Sequence, residues 1–161
     1  MTFYRFSEQM KPITLTLFLF FSVVATAETT KQSIPMQAVN THTFYINSSI
    51  EGVGSTSMLV DTGSGYSTIT EKTLRELQKQ GDAVYLKKLK GIMADGSVQK
   101  VSVYRISGIN IGKTCHIRDI EVAVFPSSTR EILGLNTLSK VAPFTFSIDP
   151  PSLFVSNCNK A

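Results

Sequence analysis

Short apolar stretches separated by glycine-containing turns run through the chain from residue 42 onward. Phe44, Tyr45 and Ile46 begin a first strand, the turn at residues 51–56 contains two glycines, and Met58-Leu59-Val60 runs straight into Asp61. Consecutive side chains of a strand point to opposite faces of the sheet. Three apolar residues in a row therefore predict that the second strand of this hairpin is buried on both faces.

One helix is predicted directly after the hairpin. Thr70 is a suitable N-cap, Glu71 lies in the first turn, and Leu74 and Leu77 share a face. Gly81 is expected to end this helix.

Beyond the helix the pattern returns to strands. Ala94-Asp95-Gly96-Ser97 is typical of a type I′ turn and joins apolar stretches at residues 86–93 and 98–103. A further hairpin is predicted to turn near Gly112-Lys113 and to continue into residues 117–125, where apolar and polar positions alternate.

The last third of the chain adds three short elements. Ile132-Leu133-Gly134 is a brief apolar stretch that ends in glycine, residues 135–141 predict one or two helical turns, and residues 144–155 predict a closing hairpin. About seven short strands and one helix indicate a mainly β protein, and we expect a small closed β-barrel.

The N-terminal region differs from the rest. Arg5 and Lys11 precede an apolar run at residues 13–24, and Ala25-Thr26-Ala27 offers the small residues of a cleavage site. Residues 1–27 are therefore predicted to be a signal peptide, with an uncleaved membrane anchor as the alternative. Residues 28–41 are polar without a clear period and are predicted to form a flexible lead-in to a domain at residues 42–161.

The composition narrows the range of functions. Hydrophobic residues make up 42% of the chain and charged residues 17%, which is enough apolar material for a folded core. The excess of 16 Lys and Arg over 12 Asp and Glu is spread along the chain without a basic block, so a nucleic-acid partner is not expected.

The two cysteines and two histidines are candidates for a cross-link or for metal ligands. Export would place Cys115 and Cys158 in an oxidising compartment, such as a bacterial periplasm, where an intrachain disulfide, two free thiols or an interchain bridge are all allowed. His42 and His116 lack the spacing of a metal site, so no metal is expected.

Asp61 is the candidate catalytic residue. A carboxylate at the end of a buried strand needs partners, and Thr62, Gly63 and Ser64 place N–H groups and hydroxyls beside it. On its own, the Asp-Thr-Gly tripeptide is also compatible with an ordinary strand-end turn.

Three motifs in order make the pattern more specific. Leu59-Val60-Asp61-Thr62-Gly63-Ser64 is followed by Met93-Ala94-Asp95-Gly96-Ser97 and then by Ile132-Leu133-Gly134. This arrangement resembles the retropepsin-like aspartic proteases, in particular their single-domain bacterial members. The resemblance covers about residues 42–156 and implies the acid-protease fold, an aspartic endopeptidase activity without a cofactor, and an extended polypeptide substrate.

The resemblance also implies roles for these residues. Because catalysis needs two carboxyl groups sharing one proton, Asp61 would pair with its counterpart in a second copy, so a homodimer is expected. Thr62 would hydrogen-bond across the two-fold axis, Gly63 would permit the tight turn, and Ser64 would hydrogen-bond the carboxylate. The motif Met93-Ala94-Asp95-Gly96-Ser97 would form the tip of a flap over the substrate.

The third motif has a packing role in the same picture. Gly134 has no side chain, and this would let the Ile132-Leu133 strand lie close beneath the catalytic loop. Two other functions remain open at this level: a catalytically silent module of the same fold that binds peptide strands, and a secreted β-barrel binding protein in which the motif is a coincidence.

Overall fold

A computed structural model describes residues 31–40, 42–126 and 129–158. The predicted signal peptide at residues 1–27 lies outside these residues. No helix in the described ranges is long and apolar enough to span a membrane. The elements are the strands β1 (Gln32–Val39), β2 (Thr43–Ile50), β3 (Gly54–Val60), β4 (Ser67–Thr70), β5 (Val84–Ile92), β6 (Val98–Ile111), β7 (Cys115–Phe125), β8 (Ile132–Leu133), β9 (Phe144–Ile148) and β10 (Pro151–Val155), with the helices α1 (Glu71–Lys79) and α2 (Leu135–Leu138) and a 3₁₀ turn at Ser139–Val141.

The ten strands of the described residues form one hydrogen-bonded sheet in the order β5-β6-β7-β4-β8-β3-β2-β1-β10-β9. Strand β6 also pairs with β2. The six strands β6, β7, β4, β8, β3 and β2 are therefore hydrogen-bonded in a closed ring. The predicted mainly β architecture is confirmed. There are more strands than the seven or so predicted, because β4 and β8 are too short to show a period of their own.

The predicted flexible lead-in is wrong for most of its length. Within residues 28–41, Gln32–Val39 form β1, which pairs with both β10 and β2. Ile34 and Met36 are buried in the main core. The strand was missed because this segment is largely polar and because one of its two partners, β10, lies near the other end of the chain, whereas β2 is the next strand along the sequence.

Strand β3 is less buried than the sequence suggested. Met58 and Val60 point into the main core, whereas Leu59 between them is only half-buried. The strand therefore has one core face and one partly covered face, and its final residues lead directly to Asp61.

Helix α1 begins and ends as predicted. The Thr70 hydroxyl accepts a hydrogen bond from the Thr73 N–H at 3.1 Å, which caps the helix. Leu77 is fully buried, and Gly81 has a φ of 73°, a left-handed conformation that suits glycine at a helix end.

The tip of the β5–β6 hairpin is a three-residue loop and not the type I′ turn predicted. Within Met93–Ser97 only Gly96 has a positive φ, 82°, whereas a type I′ turn needs two such residues. The Gly96 N–H donates to Met93 O at 2.9 Å and the Met93 N–H to Ser97 O at 2.8 Å. A type I turn that ends in a left-handed glycine has this pattern.

Buried Glu131 joins three elements beneath the predicted catalytic region. It is 8% exposed and accepts hydrogen bonds from the hydroxyls of Thr56 on β3, at 2.6 Å, and Thr73 on α1, at 2.5 Å. Its own carbonyl accepts from the Leu59 N–H at 2.9 Å. The side chain thus ties β3 and α1 to the start of β8.

Cys115 and Cys158 form an intrachain disulfide, which decides among the three alternatives allowed by the sequence. The bond attaches the start of β7 to the residues that follow β10 across a separation of 43 residues. A cross-link of this loop length stabilises a fold by about 4 kcal/mol in the chain-entropy treatment.

Candidate active site

Asp61 lies at the end of β3, where a tight turn holds its carboxylate. The Asp61 N–H donates to Leu133 O at 3.2 Å, and the Ser64 N–H donates to Asp61 O at 3.3 Å. The Gly63 N–H donates to the carboxylate oxygen Oδ1 at 2.8 Å. These three bonds fix both the backbone and the direction of the side chain, which is half-buried.

Strand β8 lies parallel to the end of β3 and holds the start of the turn in place through the bond from the Asp61 N–H to Leu133 O. Leu59 pairs with Ile132, and Val60 pairs with Leu133, so the sequence motif Ile132-Leu133-Gly134 runs directly beside the approach to Asp61. The first and third predicted motifs are therefore neighbours, although more than 60 residues separate Asp61 from Ile132 in the chain.

Gly134 makes the closest backbone approach at the site. A Cβ atom at this position would lie 2.4 Å from both the C and O atoms of Tyr66 and 2.8 Å from the Ser67 N. Backbone atoms cannot rotate away as a side chain can, so only glycine fits against the loop that follows Asp61.

Helix α2 supports the same loop through its backbone. The Leu135 N–H donates to Ser64 O at 2.8 Å and the Asn136 N–H to Gly65 O at 3.3 Å. The Asn136 side chain accepts from the Ser67 N–H at 2.7 Å and donates to Glu121 O at 2.7 Å. Asn136 therefore connects the catalytic loop to β7.

A buried hydroxyl pair completes this support. The hydroxyls of Ser67 and Thr137 lie 2.6 Å apart, both residues are fully buried, and the Gly134 N–H donates to the Ser67 Oγ at 3.0 Å. The sequence analysis missed Asn136, Ser67 and Thr137. The only available signal was the presence of small polar residues within apolar stretches, which is not specific enough to assign partners.

The predicted hydrogen bond from the Ser64 hydroxyl to the Asp61 carboxylate is wrong. Its hydroxyl donates to Tyr66 O at 2.7 Å, because the side chain turns along the loop and away from Asp61. Thr62 and Gly63 are exposed at the tip of the turn. The bond proposed for Thr62 concerns a second copy of the chain and stays a prediction.

The hairpin of β5 and β6, which carries the predicted flap motif, packs against the catalytic loop at its base. Val101 and Val103 form a small core with Tyr66 from the loop and Leu89 from β5. At the tip, Met93 is half-buried, and the four residues Ala94, Asp95, Gly96 and Ser97 are exposed.

Lys87 adds a polar link between this hairpin and the loop. Its Nζ lies 3.1 Å from a carboxylate oxygen of Glu121 and 5.7 Å from the centre of the Tyr66 ring. The hydrogen bond to Glu121 and, next, that to Tyr66 raise the pKa of Lys87.

Beside the loop is an open depression of about 410 Å³, which is lined by Gly65, Tyr66, Arg105, Asp119, Glu121, Asn136 and Lys140.

Within the described residues no group of three or more His, Cys, Asp or Glu side chains is placed to hold a metal ion. The reactive group that the site presents is the Asp61 carboxylate, which is held by the Gly63 N–H.

Comparison with known proteins assigns the family. Residues 46–140 match the sequence profile of the family described as "gag-polyprotein putative aspartyl protease". The chain belongs to this retropepsin-like family. The matched residues include Asp61-Thr62-Gly63, the flap motif and Ile132-Leu133-Gly134, so all three motifs of the sequence analysis fall within the family's domain.

A solved structure supports the fold of this retropepsin-like chain. This chain is similar to the crystal structure of a retropepsin-like aspartic protease from Rickettsia conorii, with a TM-score of 0.54 and 19% sequence identity. The match covers 78% of this chain and 92% of that chain. No curated protein matches the sequence. The family and the fold together identify an aspartic protease at the level of the family.

Proposed function

We propose that this retropepsin-like protein is an aspartic endopeptidase that hydrolyses an extended polypeptide with a carboxyl dyad formed by Asp61 from each of two copies. The observation that carries the proposal is the Asp61 carboxylate, held at a strand end by the Gly63 N–H at 2.8 Å. The family motifs around it are intact.

The reaction needs two carboxyl groups in different protonation states. One carboxylate takes a proton from water as the water attacks the peptide carbonyl, and the other carboxyl donates its proton to that carbonyl oxygen. In the collapse of the resulting tetrahedral diol, the carboxyl that took the proton from water gives it to the nitrogen as the C–N bond breaks, and the other carboxylate takes a proton from a diol hydroxyl, which restores the starting pair. Two carboxylates in contact repel each other, so such a pair holds one proton between its two members.

The simplest source of the second carboxyl group is Asp61 of a second copy of the chain. Asp-Thr-Gly occurs once in the chain. Within the described residues the Asp61 carboxylate accepts a hydrogen bond from the Gly63 N–H and forms no ion pair. A two-fold axis near the turn would place identical carboxylates together, because such an interface uses the same patch of both subunits.

The first test replaces the proposed catalytic group. Asp61→Asn should lower the cleavage of casein between about pH 4 and 7 by about a thousandfold or more, which is the scale of losing a catalytic group. Asp149→Asn makes the same chemical change at an exposed turn between β9 and β10 and should leave the activity unchanged. Substantial cleavage by the Asp61 variant would refute the assignment.

A second test addresses the shared site separately. A fixed amount of wild-type chain is mixed with a ninefold excess of Asp61→Asn chain and allowed to exchange subunits. If each site needs two copies, random pairing should reduce the activity to about one tenth of that of the wild-type chain alone. Unchanged activity in the mixture would exclude a dyad made across a dimer.

We also propose that the protein is exported, with residues 1–27 as the address. The Cys115–Cys158 disulfide supports this proposal, since such bonds persist in oxidising compartments. Mass spectrometry of the protein recovered from a bacterial periplasm should give a chain that begins at Glu28. A chain retaining its first residues in the membrane fraction would favour the anchor.

A further inference from the structure

The hairpin of β5 and β6 has two faces of different character. Leu89 pairs with Val101, and both contribute to the small core that contacts Tyr66. Because side chains alternate along a strand, the neighbouring positions of both strands point to the opposite side. We call this side the outer flap face, and it consists of Lys88, Lys90, Ile92, Val98 and Lys100, all of them exposed.

The three lysines of the outer flap face are concentrated and unpaired with acids. Lys90 lies directly opposite Lys100 in the strand register, and Lys88 lies two residues before Lys90. Within the described part of the chain none of the three forms an ion pair, whereas Lys87 on the other face bonds to Glu121. Like charges placed directly across a sheet are destabilising, so folding alone does not account for this arrangement.

Two apolar side chains adjoin these lysines near the hairpin tip. Ile92 is 78% exposed and Val98 is 60% exposed, and they face each other across the two strands. Among the strands that the structure describes, β5 lies at the edge of the sheet and pairs with β6 alone. The outer flap face therefore presents an apolar tip followed by a band of positive charge along a projecting hairpin.

We propose that the outer flap face docks on an anionic phospholipid surface, with Ile92 and Val98 entering the interfacial region and the three lysines lying among the headgroups. Apolar side chains next to lysines are the combination that binds such surfaces, through apolar burial and attraction to negative lipids. This proposal does not depend on the catalytic role of Asp61.

An acidic polypeptide is the competing partner, and the geometry favours the lipid. The lysines point away from the face that contacts the catalytic loop, so a substrate lying beneath the hairpin would not reach them. An acidic chain bound from outside would neutralise the lysines, but it would cover Ile92 and Val98 only if it also carried apolar side chains at the hairpin tip. A lipid surface satisfies both groups at once.

The first experiment measures protection of individual lysines in the full chain. An amine-acylating reagent is applied with vesicles of phosphatidylcholine containing phosphatidylglycerol, or of phosphatidylcholine alone, and each site is quantified by mass spectrometry. Acylation of Lys88, Lys90 and Lys100 should slow severalfold with the anionic vesicles only, and should recover in about 0.5 M salt because screening weakens the attraction. Lys72 and Lys79, exposed on α1, are internal controls that should not change.

The second experiment measures partitioning of variants onto the same anionic vesicles. Each Lys→Gln change on the outer flap face should weaken binding about fivefold, equivalent to about 1 kcal/mol, and the three together by about a hundredfold. The control double variant Lys72→Gln/Lys79→Gln should partition as the wild type does. Any contribution from the apolar N-terminal segment is the same in all variants and sets a common baseline.

The apolar part is tested by a separate double variant. Ile92→Ser/Val98→Ser should weaken binding by about tenfold or more while keeping its salt dependence. Equal protection of all lysines, or equal partitioning of all variants, would overturn the proposal. Protection by polyglutamate and not by vesicles would assign an acidic polypeptide instead. Protection that rises with protein concentration without vesicles would assign a second copy of the chain, and either result overturns the lipid proposal.

Discussion

Gly134 offers the sharpest test of how the fold holds the catalytic loop, through the substitution Gly134→Ala. The added Cβ would meet the Tyr66 C and O atoms at 2.4 Å and the Ser67 N at 2.8 Å. Ordinary contacts lie at about 3.5–4.0 Å, so the backbone of β8 or of the loop must move by about 1 Å.

The movement threatens several hydrogen bonds at once. Gly134 donates to the Ser67 Oγ at 3.0 Å, and the next residue, Leu135, donates to Ser64 O at 2.8 Å. Overpacking of this kind costs about 1–3 kcal/mol, and each hydrogen bond lost adds about 1 kcal/mol. We therefore expect Gly134→Ala to lower the free energy of unfolding by about 3 kcal/mol.

Gly65→Ala is the matched control, because it makes the same change in the loop against which Gly134 packs. A Cβ at residue 65 would have no atom within 4 Å, and this glycine does not have a positive φ. Its effect should be within about 0.5 kcal/mol of zero, or slightly stabilising. Urea unfolding of the full chain, followed by circular dichroism, measures both. Equal stability of the two variants would refute the close approach at Gly134.

Three further predictions concern other parts of the fold. Glu131→Ala leaves the hydroxyls of buried Thr73 and half-buried Thr56 without their acceptor and should lower the free energy of unfolding by about 2–4 kcal/mol in urea titrations, while Glu131→Gln, which keeps an acceptor, should cost less. The double variant Cys115→Ala/Cys158→Ala should lose about 4 kcal/mol, and a loss near zero would contradict the role of the cross-link. The hydroxyl of Ser97 and then its N–H lower the pKa of Asp95. Ser97→Ala should therefore raise that pKa toward its ordinary value in a carbon NMR titration, and an unchanged pKa would contradict the assignment. A carboxyl with a lowered pKa stabilises the turn above its unfolded-state pKa and loses that effect as the pH falls through the folded-state value.

Some elements could be predicted because short-range interactions decide them. The cap of α1 at Thr70 and the left-handed Gly81 depend on residues within a few positions of one another. The β6–β7 turn at Gly112 was visible for the same reason, and Gly112 has a φ of 63°. In each case the chemistry of the turn or cap restricts the local backbone regardless of the rest of the fold.

Elements decided by distant partners were missed or misjudged. Strand β1 carries alternating apolar residues, Ile34, Met36 and Ala38, within an otherwise polar segment, and its pairing with β10 comes from near the other end of the chain. The flap turn was misjudged although it is local: its Asp-Gly pair predicted a type I′ turn, but the bond from the Met93 N–H to Ser97 O defines a longer loop.

In the candidate site, too, some features could be predicted from the sequence and others could not. The order of its motifs in the sequence identified Asp61 and Gly134, since the residue types are particular to the family's chemistry. The tertiary structure alone decided that the Ser64 hydroxyl bonds to Tyr66 O and that Asn136 and Ser67 carry the loop. Whether two groups form a hydrogen bond is decided by differences of a few tenths of an ångström in their separation, both for neighbours such as Ser64 and Tyr66 and for distant residues such as Ser67 and Asn136. A sequence pattern contains the residue types but not these distances.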